Sequence, residues 1–211
     1  MAPIKILIAD DHRMFREGLR SALETEDFEI VGEAEDGRQA VHDARRLRPQ
    51  IAILDISMPG LNGVDATREI LRESPETRVI VLTMHKEEPY VAAALRAGAR
   101  GYVLKSDGVA RLAEAIREVA RGEVSLAHEF WRPLVESYQR GEDLAADRLS
   151  PREREVVQLI AEGKTTREIA EALNISFKTA DSHRTHIMAK LDIHDLAGIV
   201  RYAIRNRLIQ A

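Results

Sequence analysis

The sequence predicts a doubly wound α/β domain with a five-stranded parallel sheet, followed by a small all-α domain of four helices. Three observations carry this. Ile51-Ala52-Ile53-Leu54 is an unbroken apolar run, the pattern of a strand buried on both faces, and it ends in Asp55 shortly before a Pro59-Gly60 turn. Four similar runs alternate with helical apolar periodicity over residues 1–122, which calls for parallel strands joined by helical crossovers. From 148 to 211 the strand pattern vanishes and one capped helical period succeeds another.

Each element has its own signal. Ile4 to Ala9 reads as the first strand, ending in Asp10-Asp11, and the next helix shows Met14, Phe15, Leu19, Ala22 and Leu23 on one face. Phe28 to Ala34 is the second strand, and Gly37 to Leu47 a helix that stops before Pro49. After the third strand, Ile51 to Asp55, come a helix over Asn62 to Glu73 and a fourth strand over Val79 to Thr83. Pro89 suits the first turn of a helix running to Ala97, with Gly98 as its stop. Gly101 to Leu104 is the fifth strand, and Gly108 to Arg121 the last helix of this domain.

The net charge of −4 is unevenly spread: from Leu149 onward there are 10 Lys and Arg against 8 Asp and Glu, so the front of the chain is acidic and the back mildly basic. That split suits two domains with different partners. The absence of cysteine excludes a disulfide framework and a thiolate metal site. With neither a signal-peptide pattern nor an 18-residue apolar span, the chain is expected to be cytoplasmic, without a membrane partner.

Open parallel sheets place ligands outside the carboxyl ends of their strands. There the sequence delivers Asp10, Asp11, Asp55, Thr83 and Lys105. A lone Asp55 would more simply cap a turn; the set asks for more. Crowded carboxylates do not all ionise cheaply without a cation, and an oxygen-only cluster with few protein ligands favours Mg²⁺. A carboxylate beside such a cation can attack a phosphoryl group, whose oxygens a Thr hydroxyl and a Lys ammonium can then neutralise.

Asp10-Asp11, Asp55 with Met58-Pro59-Gly60 and Gly63, Thr83 and Lys105 together resemble the receiver domain of two-component response regulators, over roughly residues 1–122. The resemblance implies a flavodoxin-like fold, Asp55 as phosphoacceptor, and Mg²⁺ held by Asp11 and Asp55 with the Ser57 backbone carbonyl, Asp10 assisting through water. It implies Thr83 as switch hydroxyl, Lys105 as partner of the phosphoryl group, and Tyr102 as the aromatic that reports the state; by itself Tyr102 reads equally as a half-buried strand aromatic. Ser57 and His85, two residues after Asp55 and Thr83, are expected beside the path of an attacking water and to tune dephosphorylation.

Residues 123–147 read as a linker. A helix over His128 to Arg140 would offer Phe130, Trp131, Leu134, Val135 and Tyr138 for packing, with Trp131 as anchor, before the solvated stretch Gly141 to Asp147.

Ser150-Pro151-Arg152-Glu153 is a capping box with proline at the first helical position. Thr165 and Glu168 make a second box, and Asn174-Ile175-Ser176 a tight turn before a long helix, Phe177 to Leu191. A short helix, a three-residue turn and a longer helix give the spacing of a helix-turn-helix. On the long helix Ala180, His183, Ile187 and Leu191 form the inward stripe, with His183 expected as a hydrogen-bonded core residue. Lys178, Ser182 and Thr185 lie opposite, flanked by Asp181, Arg184, His186 and Lys190, a face suited to a major groove, though an ordinary solvated face would look similar. Asp195 to Leu208 is the last helix.

This region resembles the four-helix DNA-binding domain of the LuxR and NarL/FixJ type, through Leu149 to Val156, Glu168-Ile169-Ala170, Leu173, Ile175-Ser176, Thr179, His183 and Lys190-Leu191. Thr166, Ala180 and Asp181 depart from the common pattern, and Asp181 argues against borrowing a relative's DNA sequence. The resemblance implies double-stranded DNA as partner, contacted from Thr165, Thr166, Lys178, Thr179, Asp181, Ser182, Arg184, Thr185, His186 and Lys190. It also implies a sensor histidine kinase as donor, and a homodimer, when phosphorylated or on DNA, through Leu196, Ile199, Val200 and Ala203; plain packing of that helix onto its own domain is the competing reading. The expected protein is therefore a transcription regulator and not an enzyme, beyond assisting its own phosphorylation and dephosphorylation. An aspartyl-nucleophile phosphohydrolase would usually place a second Asp where Ser57 stands.

Overall fold

The computed structural model describes residues 3–127, 130–131 and 149–209. The chain divides into two compact units, Met1–Glu142 and Asp143–Ala211.

In the first unit the elements are β1 (Lys5–Ala9), α1 (Arg13–Glu24), β2 (Glu29–Ala34), α2 (Gly37–Leu47), β3 (Ile51–Leu54), α3 (Gly63–Glu73), β4 (Arg78–Thr83), α4 (Glu88–Arg96), β5 (Gly101–Leu104), α5 (Gly108–Ala120) and β6 (Ser125–Leu126). The sheet order is β2-β1-β3-β4-β5-β6, with every pair parallel. Because side chains alternate along a strand, the two faces draw on different residues. Ile6, Ile8, Ile51, Ile53, Ile80 and Leu82 pack with Leu19 and Leu23 of α1 and Leu112 and Ile116 of α5. Leu7, Ala52, Leu54, Val79 and Val81 pack with Ala40, Ile70 and Val91 from α2, α3 and α4. β3 is buried along its whole length, so each of its larger aliphatic side chains contributes about 1.5–3 kcal/mol.

Among the described residues the sheet has six strands, not five. β6 is only two residues long and pairs Ser125 with Gly101 and Leu126 with Tyr102. The first unit therefore runs past residue 122 into the expected linker, where Phe130 is buried against Tyr102 with ring centroids 5.6 Å apart and planes at 73°. Phe130, and not the exposed Trp131, is the anchor. The rest of the helix expected over 128–140, and the stretch 141–147, lie outside the described residues. Met14 also departs from expectation: it is 87% exposed, outside the core that Leu19 and Leu23 enter.

The second unit is α6 (Pro151–Ala161), α7 (Thr166–Leu173), α8 (Phe177–Leu191) and α9 (Leu196–Arg205). Ser150 and Thr165 each close a capping box, and Ser176 and Asp195 cap α8 and α9. Asn174 adopts the left-handed conformation, with φ 50°, that lets the chain leave α7 and re-enter α8 within three residues. The core joins Val156, Val157 and Ile160 to Ile169, Leu173, Ala180, Ile187, Ile199 and Ala203. His183 is half-buried and makes no side-chain hydrogen bond among the described residues, so it is not the satisfied core histidine expected.

One close approach fixes the loop after Asp55. The Gly63 amide donates to the Ile56 carbonyl at 2.9 Å, and a Cβ on Gly63 would lie 2.0 Å from the Asp55 carbonyl oxygen. Backbone cannot yield there as a flexible side chain could. Gly63→Ala is expected to destabilise the first unit by about 1–3 kcal/mol, read as a lowered urea midpoint.

Candidate functional site

The central strands end together, and residues at or just past those ends build the site. Asp10 comes directly after β1, Asp55 after β3 and Lys105 after β5, while Thr83 is the last residue of β4. Asp10, Asp55 and Thr83 are buried, and Lys105 is nearly so. The Asp55 amide donates to the Ala9 carbonyl at 2.9 Å, tying the ends of β3 and β1. One Asp55 oxygen accepts from the Ile56 amide at 2.8 Å; the other faces the Lys105 ammonium at 3.0 Å. Lys105 also reaches Asp10 Oδ2 at 2.6 Å, bridging the two carboxylates.

Burial pushes the Asp55 carboxyl above the ordinary carboxylate range, and Lys105 offsets only part of that. Burial alone would lower the Lys105 ammonium, yet its bonds to Asp10 and Asp55 hold it above the ordinary lysine value. The site thus keeps a cation fixed beside a carboxylate that is costly to ionise.

Asp10, Asp11, His12 and Asp55 each place one ligand atom within 4.8 Å of the others. Three carboxylates at this separation fit a hard divalent cation. His12 has no counterpart in the sequence-derived site; its Nδ1 lies 2.7 Å from Asp11 Oδ1, and its amide donates to Asp10 Oδ1 at 2.9 Å. Arg16 and Phe15 are likewise absent from that site. An Arg16 guanidinium nitrogen donates to the Asp10 carbonyl, and the Lys105 ammonium stands 4.6 Å over the Phe15 ring. All three lie just after the Asp10-Asp11 pair, at the start of α1, a proximity the sequence displays but does not interpret.

The β4–α4 segment connects this site to the neighbouring layer. The His85 amide donates to Thr83 Oγ1 at 3.3 Å, its Nε2 lies 3.2 Å from Ser57 Oγ, and its ring stacks on Tyr90 at 4.1 Å. Tyr102 is fully buried, not half-buried, and its hydroxyl donates to the His85 carbonyl at 2.8 Å. Burial holds the Tyr102 phenol above its ordinary value. The sequence-derived pair Ser57 and His85 is therefore in contact.

In the second unit, Lys178, Asp181, Ser182, Thr185 and His186 are exposed on α8, with Arg184 half-buried. Other residues of the expected interface are engaged locally. Thr165 Oγ1 donates to Glu168 Oε2 at 2.7 Å, and Thr179 Oγ1 pairs with Ser176 Oγ at 2.8 Å. Lys190 Nζ donates to Glu153 Oε2 at 2.7 Å, while His186 Nε2 lies 3.7 Å from Glu153 Oε1. Burial would push the Glu153 carboxyl up, but Lys190 and Ser150 together hold it below its usual range. On α9, Ile199 and Ala203 are consumed by the domain's own core, leaving Leu196 exposed and Val200 half-buried. Among the described residues, no helix is long and apolar enough to cross a membrane.

Comparison with known proteins agrees with this two-part layout. Residues 6–117 match the response regulator receiver domain, and residues 147–203 match the bacterial regulatory proteins of the luxR family. The chain is 40% identical over 209 residues to the transcriptional regulatory protein LiaR of Bacillus subtilis, covering 98% of this chain and 99% of that one. It is 38% identical over 215 residues to the oxygen regulatory protein NreC of Staphylococcus haemolyticus, with 98% and 99% covered. Among solved structures, the RcsB response regulator of Salmonella typhimurium aligns with a TM-score of 0.64 at 32% identity, covering 98% of this chain and 99% of that one. An RcsB–DNA complex aligns with a TM-score of 0.59 at 32% identity, covering 97% and 98%.

The electrostatics of Asp55 set a pH dependence. A carboxyl whose folded-state pKa is raised binds its proton more tightly in the folded chain; its penalty is absent below the ordinary value of 3.8 and complete above the folded-state value. Asp55→Asn should therefore raise stability at neutral pH without divalent cations, and the gain should shrink on acidification. Urea midpoints of both proteins from pH 4 to 8 check this.

Proposed function

Since the chain belongs to the response regulators, with a receiver domain joined to a luxR-family regulatory domain, we propose that it accepts a phosphoryl group on Asp55 from a sensor histidine kinase and thereby controls its own binding to double-stranded DNA. The observation that carries the reading is the Lys105 ammonium held between Asp10 and Asp55 beside the Asp10-Asp11-Asp55 cluster. A fixed cation next to a nucleophilic carboxylate is what phosphoryl transfer asks of a protein: positioning, and neutralisation of charge as it arrives.

In this reading an Asp55 oxygen forms a bond to phosphorus as the bond from phosphorus to the donor's nitrogen breaks. The Ile56 amide fixes the carboxylate's orientation, and Lys105 shifts its charge from the carboxylates to the new phosphoryl oxygens. Asp11 and Asp55, with the Ser57 carbonyl and with Asp10 assisting, would hold Mg²⁺, which supplies further neutralisation of those oxygens. Thr83 donates its hydroxyl to the phosphoryl group, and the segment bearing His85 moves with it, loosening the bond from Tyr102. Ser57 and His85 border the approach of the water that later removes the group.

The receiver comprises residues 1–122 extended by β6 and Phe130, the connector takes up the remainder to 147, and residues 148–211 form the DNA-binding domain. Contacts from Thr166, Lys178, Asp181, Ser182, Arg184, Thr185 and His186 would serve the groove, whereas Thr165, Thr179 and Lys190 serve mainly to hold the helices. A homodimer, when phosphorylated or on DNA, would use Leu196 and Val200, since Ile199 and Ala203 are spent internally. A solved structure of two RcsB dimers bound to two parallel DNAs lends support. A cytoplasmic location suits a regulator that works on DNA.

A small phosphodonor with Mg²⁺ should add one acid-stable, base-labile phosphate, seen by intact mass; Asp55→Ala should lack it. Undiminished labelling in that variant would sink the assignment. Lys105→Ala should still accept phosphate but fail to gain DNA affinity.

If the unphosphorylated protein is closed by roughly a hundredfold, opening raises its apparent DNA affinity by a similar factor. The fragment from Asp147 to Ala211 should then bind one operator, at fixed salt, more tightly than the intact unphosphorylated chain. Equal affinity of fragment, phosphorylated chain and unphosphorylated chain would rule out occlusion.

A further inference from the structure

The first two turns of α8 carry a combination that a generic phosphate-binding face does not need. Phe177, the first residue of the helix, is 58% exposed, although burying its ring would be favourable. Asp181, one turn further on the same side, is exposed and forms no ion pair among the described residues. Their neighbours are already occupied: the Ser176 and Thr179 hydroxyls bond each other, the Thr179 amide bonds Ser176, and Ala180 is buried. What the start of the helix presents outward is therefore an aromatic ring and a carboxylate, with Lys178 and Ser182 beside them.

We infer that Phe177 and Asp181 are specificity-determining residues that read two nearby pyrimidines in the major groove, a thymine through its methyl group and a cytosine through its amino group. The inference rests on the DNA-binding reading above, in which the N-terminal part of this helix meets base edges. A carboxylate near phosphates is unfavourable unless a base donates to it. Cytosine presents its N4 donor in the groove without an adjacent acceptor, whereas adenine pairs its donor with the N7 acceptor, which repels a carboxylate. Thymine alone offers a methyl group, the natural partner of an exposed ring. Side chains one helical turn apart stand about 5–6 Å from each other, so the two bases fall within about two base-pair steps.

The test uses the full-length protein treated with a small phosphodonor. A duplex is first selected from a random-sequence pool with the wild-type chain, and its thymines are then replaced singly by uracil, which removes only the methyl. At one position uracil should lower wild-type affinity about fourfold, the equivalent of one buried methyl group. The same replacement should leave Phe177→Ala unaffected, while Phe177→Leu keeps part of the sensitivity. Asp181→Asn should move the preference within two base pairs of that position from cytosine to adenine, the base that asparagine matches. A selected sequence at which uracil costs wild type and Phe177→Ala the same, or costs neither anything, overturns the inference but leaves DNA binding standing. Failure to enrich any duplex overturns DNA binding, and this inference with it.

Discussion

A single ammonium shared by two buried carboxylates is the constraint around which the first unit is arranged. Asp10 and Asp55 end neighbouring strands and repel each other in a place that solvent barely reaches, and Lys105 keeps them together at 2.6 and 3.0 Å. The sheet order makes this possible, since it puts β1 and β3 side by side and brings β5 round by way of β4. Phe15 and Arg16 brace the arrangement from α1, and the glycine contact at Gly63 holds the loop beyond Asp55 against the start of α3. The pocket is built so that one cation lies between two buried carboxylates.

From there hydrogen bonds and ring contacts run outward beside the sheet, whose strands are packed on both faces. Thr83 holds the His85 amide, the His85 carbonyl holds Tyr102, and Tyr102 supports Phe130. Each link is a single hydrogen bond or one aromatic contact, of the order of 1 kcal/mol. A chain of weak links can be rearranged at little energetic cost.

Much of this was legible in the sequence, and the limits have physical reasons. Asp55 and Lys105 could be placed because a strand buried on both faces reads as an apolar run, and each of them follows directly where such a run ends. Ser150, Thr165 and Ser176 were readable as caps because capping is local, spanning three residues. What escaped depends on contacts between distant positions. Lys190 lies on the margin of the outward face of α8, yet Glu153, 37 residues earlier, draws it into the domain. The family resemblance assigns Ile199 and Ala203 to a partner surface, but the three-dimensional core shows that they take the competing role, packing inside their own domain. Met14 and Leu19 share an apolar stripe, yet Met14 is left exposed at its margin while Phe15 beside it packs against the core. A strand of two residues, Ser125 and Leu126, has no periodicity to detect.

That short strand carries a consequence for how such proteins can be taken apart and recombined. Motif boundaries suggest that the signalling module ends with α5, but β6 completes the sheet beside β5, and Phe130 fills the space against Tyr102. A chimaera joined directly after α5 would inherit a parallel sheet with a bare edge, and Tyr102 would lack its lateral support from Phe130. The natural junction for exchanging output domains therefore lies beyond Phe130, within what looks like connector. The segment leading out of the receiver is part of the receiver, and evolution by domain shuffling would have to move the two together.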